Sequence, residues 1–188
     1  MFRSIVFAFA LVFVLPLTAA AGPIQDKAAS AEAALQQGEG SKAIALLREA
    51  VEQAWKEAPI SVQKALFVSA PADGFGIYNA RADNVFPAGE ALVVYLEPVG
   101  FDWKQQDGLF MSLLTVDFDL ASPDGKVLAG QKGFGKFDFK SHVANTEYMA
   151  NLTLNISGAP AADYLLVLTV NDELGGGSTK VSLPFSIK

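Results

Sequence analysis

Two runs near the C-terminus constrain the fold more than any other part of the chain. Tyr164, Leu166, Leu168 and Val170 recur at every second position, and Val181, Leu183, Phe185 and Ile187 repeat the pattern against Ser182, Pro184 and Ser186. A period of two places each set on one face of an extended strand, so each strand has one side turned inward. Leu114, Val116, Phe118 and Leu120 form a third such face, with Thr115, Asp117 and Asp119 opposite, and Leu152, Leu154 and Ile156 form a fourth. From about Leu66 onward, apolar runs alternate with Gly, Pro, Asp and Asn, which predicts strands near 66–69, 75–82, 91–97, 109–120, 126–139, 147–156, 163–171 and 179–187. Turn chemistry separates them at Pro87-Ala88-Gly89, Ser122-Pro123-Asp124-Gly125 and Glu173-Leu174-Gly175-Gly176-Gly177. No helical period lies between these runs, which favours two packed antiparallel sheets over a parallel α/β sheet. The expected fold is mainly β: an immunoglobulin-like antiparallel β-sandwich over 66–188, preceded by an N-terminal α-helical hairpin over 22–59.

The helical expectation rests on Pro23 to about Ala58, a stretch rich in Ala, Gln, Glu and Lys and interrupted only by Gly38-Glu39-Gly40. The second helix is the better defined. Ser41 is its expected N-cap, Ala43, Leu46, Leu47, Ala50, Val51 and Ala54 make a stripe at spacings of three and four, and Pro59 ends it. Ala34-Leu35-Gln36-Gln37-Gly38 followed by Lys42-Ala43-Ile44-Ala45-Leu46-Leu47 and Ala50 resembles the middle of a tetratricopeptide repeat. There is no second copy, and one such unit cannot bury its own apolar face. The hairpin is therefore expected to lie against the sandwich, a partner or another copy of itself.

Arg3, the apolar run Ile5 to Leu17 and the small residues Thr18-Ala19-Ala20-Ala21 read as a cleavable secretory signal over residues 1–21, with cleavage expected after Ala21. The address this predicts is periplasmic or secreted. Removal of Arg3 takes the formal net charge from −6 to −7. With no cluster of Lys and Arg, the mature chain is not expected to bind nucleic acid or an anionic membrane. The absence of Cys rules out disulfides and the cysteine-ended signal of a lipoprotein, so a freely soluble protein with no membrane anchor after cleavage is expected.

A family resemblance rests on the segment Tyr78-Asn79-Ala80-Arg81-Ala82-Asp83-Asn84-Val85-Phe86-Pro87-Ala88-Gly89-Glu90, then Val93-Val94-Tyr95-Leu96-Glu97-Pro98. It rests equally on the ending Asp163 to Asp172 with Lys180 to Ile187. These resemble uncharacterised bacterial secreted proteins with an immunoglobulin-like sandwich. The likeness implies a fold over Tyr78 to Lys188 and no particular activity.

Chemistry-bearing residues are few. A single His, His142, and no Cys exclude the paired zinc patterns, and no Gly-x-Ser-x-Gly elbow is present. Asp117 and Asp119 share a strand face, where paired carboxylates serve as acid and base or, more simply, keep that face wet. No metal and no cofactor is expected. The candidate ligand-binding residues are Tyr78, Arg81, Tyr95, Glu97, Phe101 and Trp103, because rings beside carboxylates grip a sugar or peptide by stacking and hydrogen bonding. The alternative is that Phe101 and Trp103 plug the end of the core. Lys132-Gly133-Phe134-Gly135-Lys136-Phe137-Asp138-Phe139-Lys140 is a candidate edge strand. Its lysines guard against self-pairing, or Phe134, Lys136, Phe137 and Phe139 accept a partner strand. The function expected is that of a non-enzymatic binding or scaffold protein of the bacterial envelope, with an envelope protein or a glycan as partner. The alternatives are a hydrolase of an extracellular polymer using Asp117, Asp119, Glu97 or His142, and a structural subunit that assembles through the hairpin.

Overall fold

The computed structural model describes residues 22–188; the signal expected over residues 1–21 lies outside the described residues. Two helices come first, α1 (Pro23–Gln36) and α2 (Gly40–Glu57). Pro23 sits at the first turn of α1, where its missing N–H is no loss. The turn between the helices is tight, and its cap differs from expectation. Gly38 adopts φ 75° and Glu39 N–H closes on the Ala34 carbonyl, so α2 starts at Gly40, with Glu39 and not Ser41 in the cap position and no side-chain cap bond. The helices pack through Ala31, Ala34 and Ala43, with Leu46 alongside, and Lys27 pairs with Glu49 across them. Small residues at this seam bring the backbones close but bury little area. Ile44, Leu47 and Val51 stay 55%, 45% and 49% exposed along α2.

The β region comprises β1 (Ser61–Phe67), β2 (Val85–Phe86), β3 (Leu92–Val99), β4 (Lys104–Gln106), β5 (Leu109–Ala121), β6 (Val127–Ser141), β7 (Ala150–Leu154), β8 (Ala162–Asp172) and β9 (Ser178–Ile187). One sheet is β1-β3-β7. The other runs β2-β9-β8-β5, with β6 along the second edge of β5 and the short β4 beside the first residues of β5. All pairings are antiparallel except the two-residue match of β2 to the end of β9. The alternating faces meet as their period requires: Leu120 pairs with Leu166, Val116 with Val170, Leu166 with Leu183 and Tyr164 with Phe185. With Leu92, Val94, Leu96, Leu152 and Leu154 from the facing sheet they make one core. Each fully buried Leu, Val or Phe there contributes about 1.5–3 kcal/mol of transfer free energy. The result is an immunoglobulin-like β-sandwich carrying a helical hairpin.

The short β2 and β4 are not among the expected strands, and two further stretches differ more. The first strand begins at Ser61 rather than 66, because the polar segment Ser61 to Lys64 pairs with Glu97 to Val99 at the edge of the smaller sheet. The strand expected over 75–82 is a loop with only isolated bridges, Val68 to Ala80 and Gly74 to Ile77. This loop lies on the outer face of the smaller sheet. There the Asn151 side chain accepts from Ala72 N–H and donates to Ala72 carbonyl oxygen, both at 2.9 Å.

Candidate functional site

Phe101 and Trp103 follow β3 where the sandwich meets the hairpin. Phe101 is fully buried and central: Trp55 of α2, Trp103 and Tyr148 approach it with ring centroids at 5.1, 5.2 and 5.0 Å. The Trp55 indole N–H donates to the Phe101 carbonyl at 2.7 Å, which ties α2 to the β3–β4 connection. Burial holds the Tyr148 hydroxyl above its ordinary pKa, so it stays protonated behind the cluster. Trp55, Trp103, Phe101 and Phe110 wall a cleft of about 330 Å³, with Glu52, Lys56, Asp102, Gln105 and Thr146 at its polar positions. Trp103 is only partly buried, yet its Nε1 is buried without a hydrogen-bond partner. Phe101 thus fills core and Trp103 lines a cleft, a division of roles that spacing alone does not reveal.

Tyr78, Tyr95 and Glu97 gather elsewhere, on the outer face of the smaller sheet beneath the 68–84 loop. Tyr95 donates to Glu97 at 2.7 Å and accepts from Gly76 N–H at 2.8 Å, and both Tyr95 and Glu97 are buried. Tyr78 stacks obliquely on Tyr95 at 4.5 Å, and Lys64 donates to the Tyr78 hydroxyl at 3.0 Å. These bonds hold the loop on the sheet. Arg81 lies apart from them: it pairs with Glu90 at 2.6 Å, donates to the Val85 carbonyl and covers the Phe86 ring at 4.1 Å. The six candidate ligand-binding residues therefore occupy three places. Only Phe101 and Trp103 share the cleft.

Among the described residues, β6 is an edge strand, paired with β5 alone. Phe137 and Phe139 lie opposite Leu114 and Ser112 and pack against the core while staying partly exposed; Lys136, Asp138 and Lys140 are exposed on the alternate face. A groove of about 410 Å³ runs beside the strand, walled by Phe75, Phe137, Phe139, Tyr148 and Met149. Phe134 is placed differently from the other candidate edge residues. Between Gln131 and Gly135, β6 has three residues where β5 has only Asp117. In this bulge Gly133 takes φ 58°, which favours Gly, and Phe134 folds edge-on against Phe118 at 5.0 Å.

Asp117 is the residue that closes the bulge. Its carboxylate accepts from Gly133 N–H at 2.7 Å and from Lys132 Nζ at 3.0 Å. Burial acts to raise its pKa, but the bonds from Gly133, Lys132 and Asn171 and the attraction of Lys132 outweigh burial and bring it below the ordinary value. A depressed folded-state pKa means the stabilisation is complete above the unfolded value near 3.9 and is lost as pH falls through the lower folded value. Asp117→Asn should therefore cost about 1–2 kcal/mol at pH 7 and flatten the acid limb below about pH 4 in urea denaturation run across pH. An unchanged acid limb would mean that the bulge does not depend on the charge. Asp119 is partly exposed and sits across from Gly130, and His142 is exposed in the loop after β6. Among the described residues, no three His, Cys, Asp or Glu side chains gather to hold a metal.

The cleft also draws on residues outside the sequence-based candidates: Trp55, Glu52 and Gln105. Trp55 follows Val51 by four on the apolar stripe of α2, which was the available signal. No family model matches the chain, and no curated protein does. Among solved structures, it is distantly similar to the alkylpurine DNA glycosylase AlkC of Pseudomonas fluorescens, at 9% identity and a TM-score of 0.38 over 82% of this chain, which spans only 39% of that protein. It is likewise similar to a CARDB domain from Pyrococcus furiosus, at 10% identity and a TM-score of 0.36 over 69% of this chain and 90% of that one. A superoxide reductase (neelaredoxin) from Ignicoccus hospitalis matches at 13% identity and a TM-score of 0.37 over 72% and 86%. These likenesses are distant and place the chain in no family.

Proposed function

We propose that the chain is an exported, non-enzymatic binding protein of the bacterial cell envelope, whose working surface is the free edge of β6. An extended segment of another envelope protein adds there as a further strand. The observation that carries this reading is the edge itself. A long strand with one unpaired side offers backbone donors and acceptors in register, and half-buried Phe137 and Phe139 beside a groove offer places for alternate side chains. Lys136 and Lys140 on the exposed face favour acidic residues at the intervening positions of the guest. The secretory signal read in the sequence and the resemblance to secreted bacterial sandwich proteins support the address. The polar work of Asp117, Glu97 and Arg81 in holding bulge and loops supports a scaffold over a catalyst.

The test is selection of binding nonapeptides from a displayed random library, followed by amide hydrogen exchange on the complex. Enriched peptides should alternate apolar and acidic residues, bind with Kd in the range of about 1–100 µM, and slow exchange at alternate amides of 135–141. Lys136→Glu with Lys140→Glu should weaken them about five-fold, while Leu47→Glu on the hairpin leaves them unchanged. If Leu47→Glu alone abolishes binding, the exposed stripe Ile44, Leu47 and Val51 is the working surface instead. No enrichment, or protection elsewhere, overturns the reading.

A further inference from the structure

The chain has two tryptophans, and both wall the cleft between hairpin and sandwich. Both pack on Phe101, which fills the end of the sandwich. Each leaves part of its ring uncovered. Trp55 uses its N–H within the protein, but Trp103 does not: its Nε1 is buried and unpaired. That atom has almost no accessible surface, so what Trp103 offers the cleft is its ring and not its N–H.

The surroundings narrow what the cleft can hold. Indole faces take a flat, C–H-lined surface. Glu52 and Asp102 accept hydrogen bonds, and Lys56 and Gln105 donate them, so the ligand must both donate and accept. Two carboxylates against one ammonium disfavour an anion. A quaternary ammonium ion would suit the rings and carboxylates, but Lys56 would repel it. A pyranose ring has an apolar face and hydroxyls that donate and accept. The cleft volume lies at the small end of the range of about 300–1,000 Å³ typical of ligand pockets, which suits a ligand of one or two rings.

We propose that this cleft is a saccharide site that holds one or two neutral pyranose rings of a longer glycan against Trp55 and Trp103, with ring hydroxyls meeting Glu52, Asp102, Lys56 and Gln105. The site is independent of the β6 edge and would act as a second point of attachment to the envelope.

Because both tryptophans are in the site, intrinsic fluorescence reports it directly. Titration of the protein with cellotetraose and chitotetraose should give a saturable blue shift with at least one of them, with Kd in the range of about 10 µM to 1 mM. Trp103→Ala removes one of the two ring faces, and should weaken that binding by about five- to ten-fold at an unchanged circular dichroism spectrum. Gln105→Ala should weaken it by a smaller factor, and Lys136→Glu with Lys140→Glu should leave it unaltered. No response to either sugar up to about 10 mM, equal affinity in Trp103→Ala, or a response to tetramethylammonium in place of sugar overturns the proposal.

Discussion

Phe101→Ala should lower the stability of the protein by about 3–5 kcal/mol, the range for truncating a buried aromatic ring. Phe101 is 0% exposed and meets Trp55, Trp103 and Tyr148, so three rings lose their common neighbour. Aromatic pairs of this kind add about 0.5–1.5 kcal/mol each beyond area burial. The site collapses poorly, because Trp55 is held by its bond to the Phe101 main chain and Tyr148 by its contact with Phe139 at 5.5 Å. The effect reaches beyond the core. Trp55 is the helix residue packed against the main core, so loosening its seat loosens the hairpin. Urea denaturation should record the loss, and limited proteolysis near Ala58 to Ile60 should accelerate in Phe101→Ala before the sandwich is cut. A loss below about 1 kcal/mol would show that the cluster is not the hub its geometry indicates.

What the sequence made legible follows from how far each signal reaches along the chain. The inward faces of β8 and β9 were legible because a period of two is local and both strands are central or nearly so, with Tyr164, Leu166, Leu183 and Phe185 all buried. Ser61 to Lys64 gave no such signal, since an edge strand with one wet side needs little apolar alternation. Ile77 and Tyr78 read as strand because a loop laid over a sheet face uses the same residue types as a strand. Its actual anchor, the Asn151 side chain on Ala72, is distant in sequence. Asp117 read as a solvent-side carboxylate for a related reason. Its partners Lys132 and Gly133 are recognisable only once the register of β6 on β5 is known. The candidate cleft was half legible. Phe101 and Trp103 announce themselves as rings in a loop, but Trp55 belongs to a stripe whose Ala43 packs on α1 and whose Leu47 and Val51 face solvent, so its docking on the sandwich is a tertiary fact.

The second large effect is expected at Gly100, where the chain leaves β3 beside the linker from the hairpin. Gly100 has φ 73°, and an added Cβ would stand 2.6 Å from the Pro59 carbonyl oxygen and 3.1 Å from that of Ala58. Both obstacles are backbone, so no rotamer change relieves them. The left-handed conformation alone costs an L residue about 1–2 kcal/mol, and displacing the linker adds to it, so Gly100→Ala should lose about 2–4 kcal/mol. Gly158 separates the two contributions. It has φ 79° but open space around its Cβ position, so Gly158→Ala should show only the conformational part, about 1–2 kcal/mol. The linker displaced by Gly100→Ala carries α2, so Trp55 should lose its seat on Phe101 and emit at longer wavelength, while Gly158→Ala leaves the emission unchanged. Denaturation midpoints and emission spectra of the two variants measure both effects. Equal losses in the two would mean that the linker yields without resistance and that the close approach at Pro59 does not hold the hairpin in place.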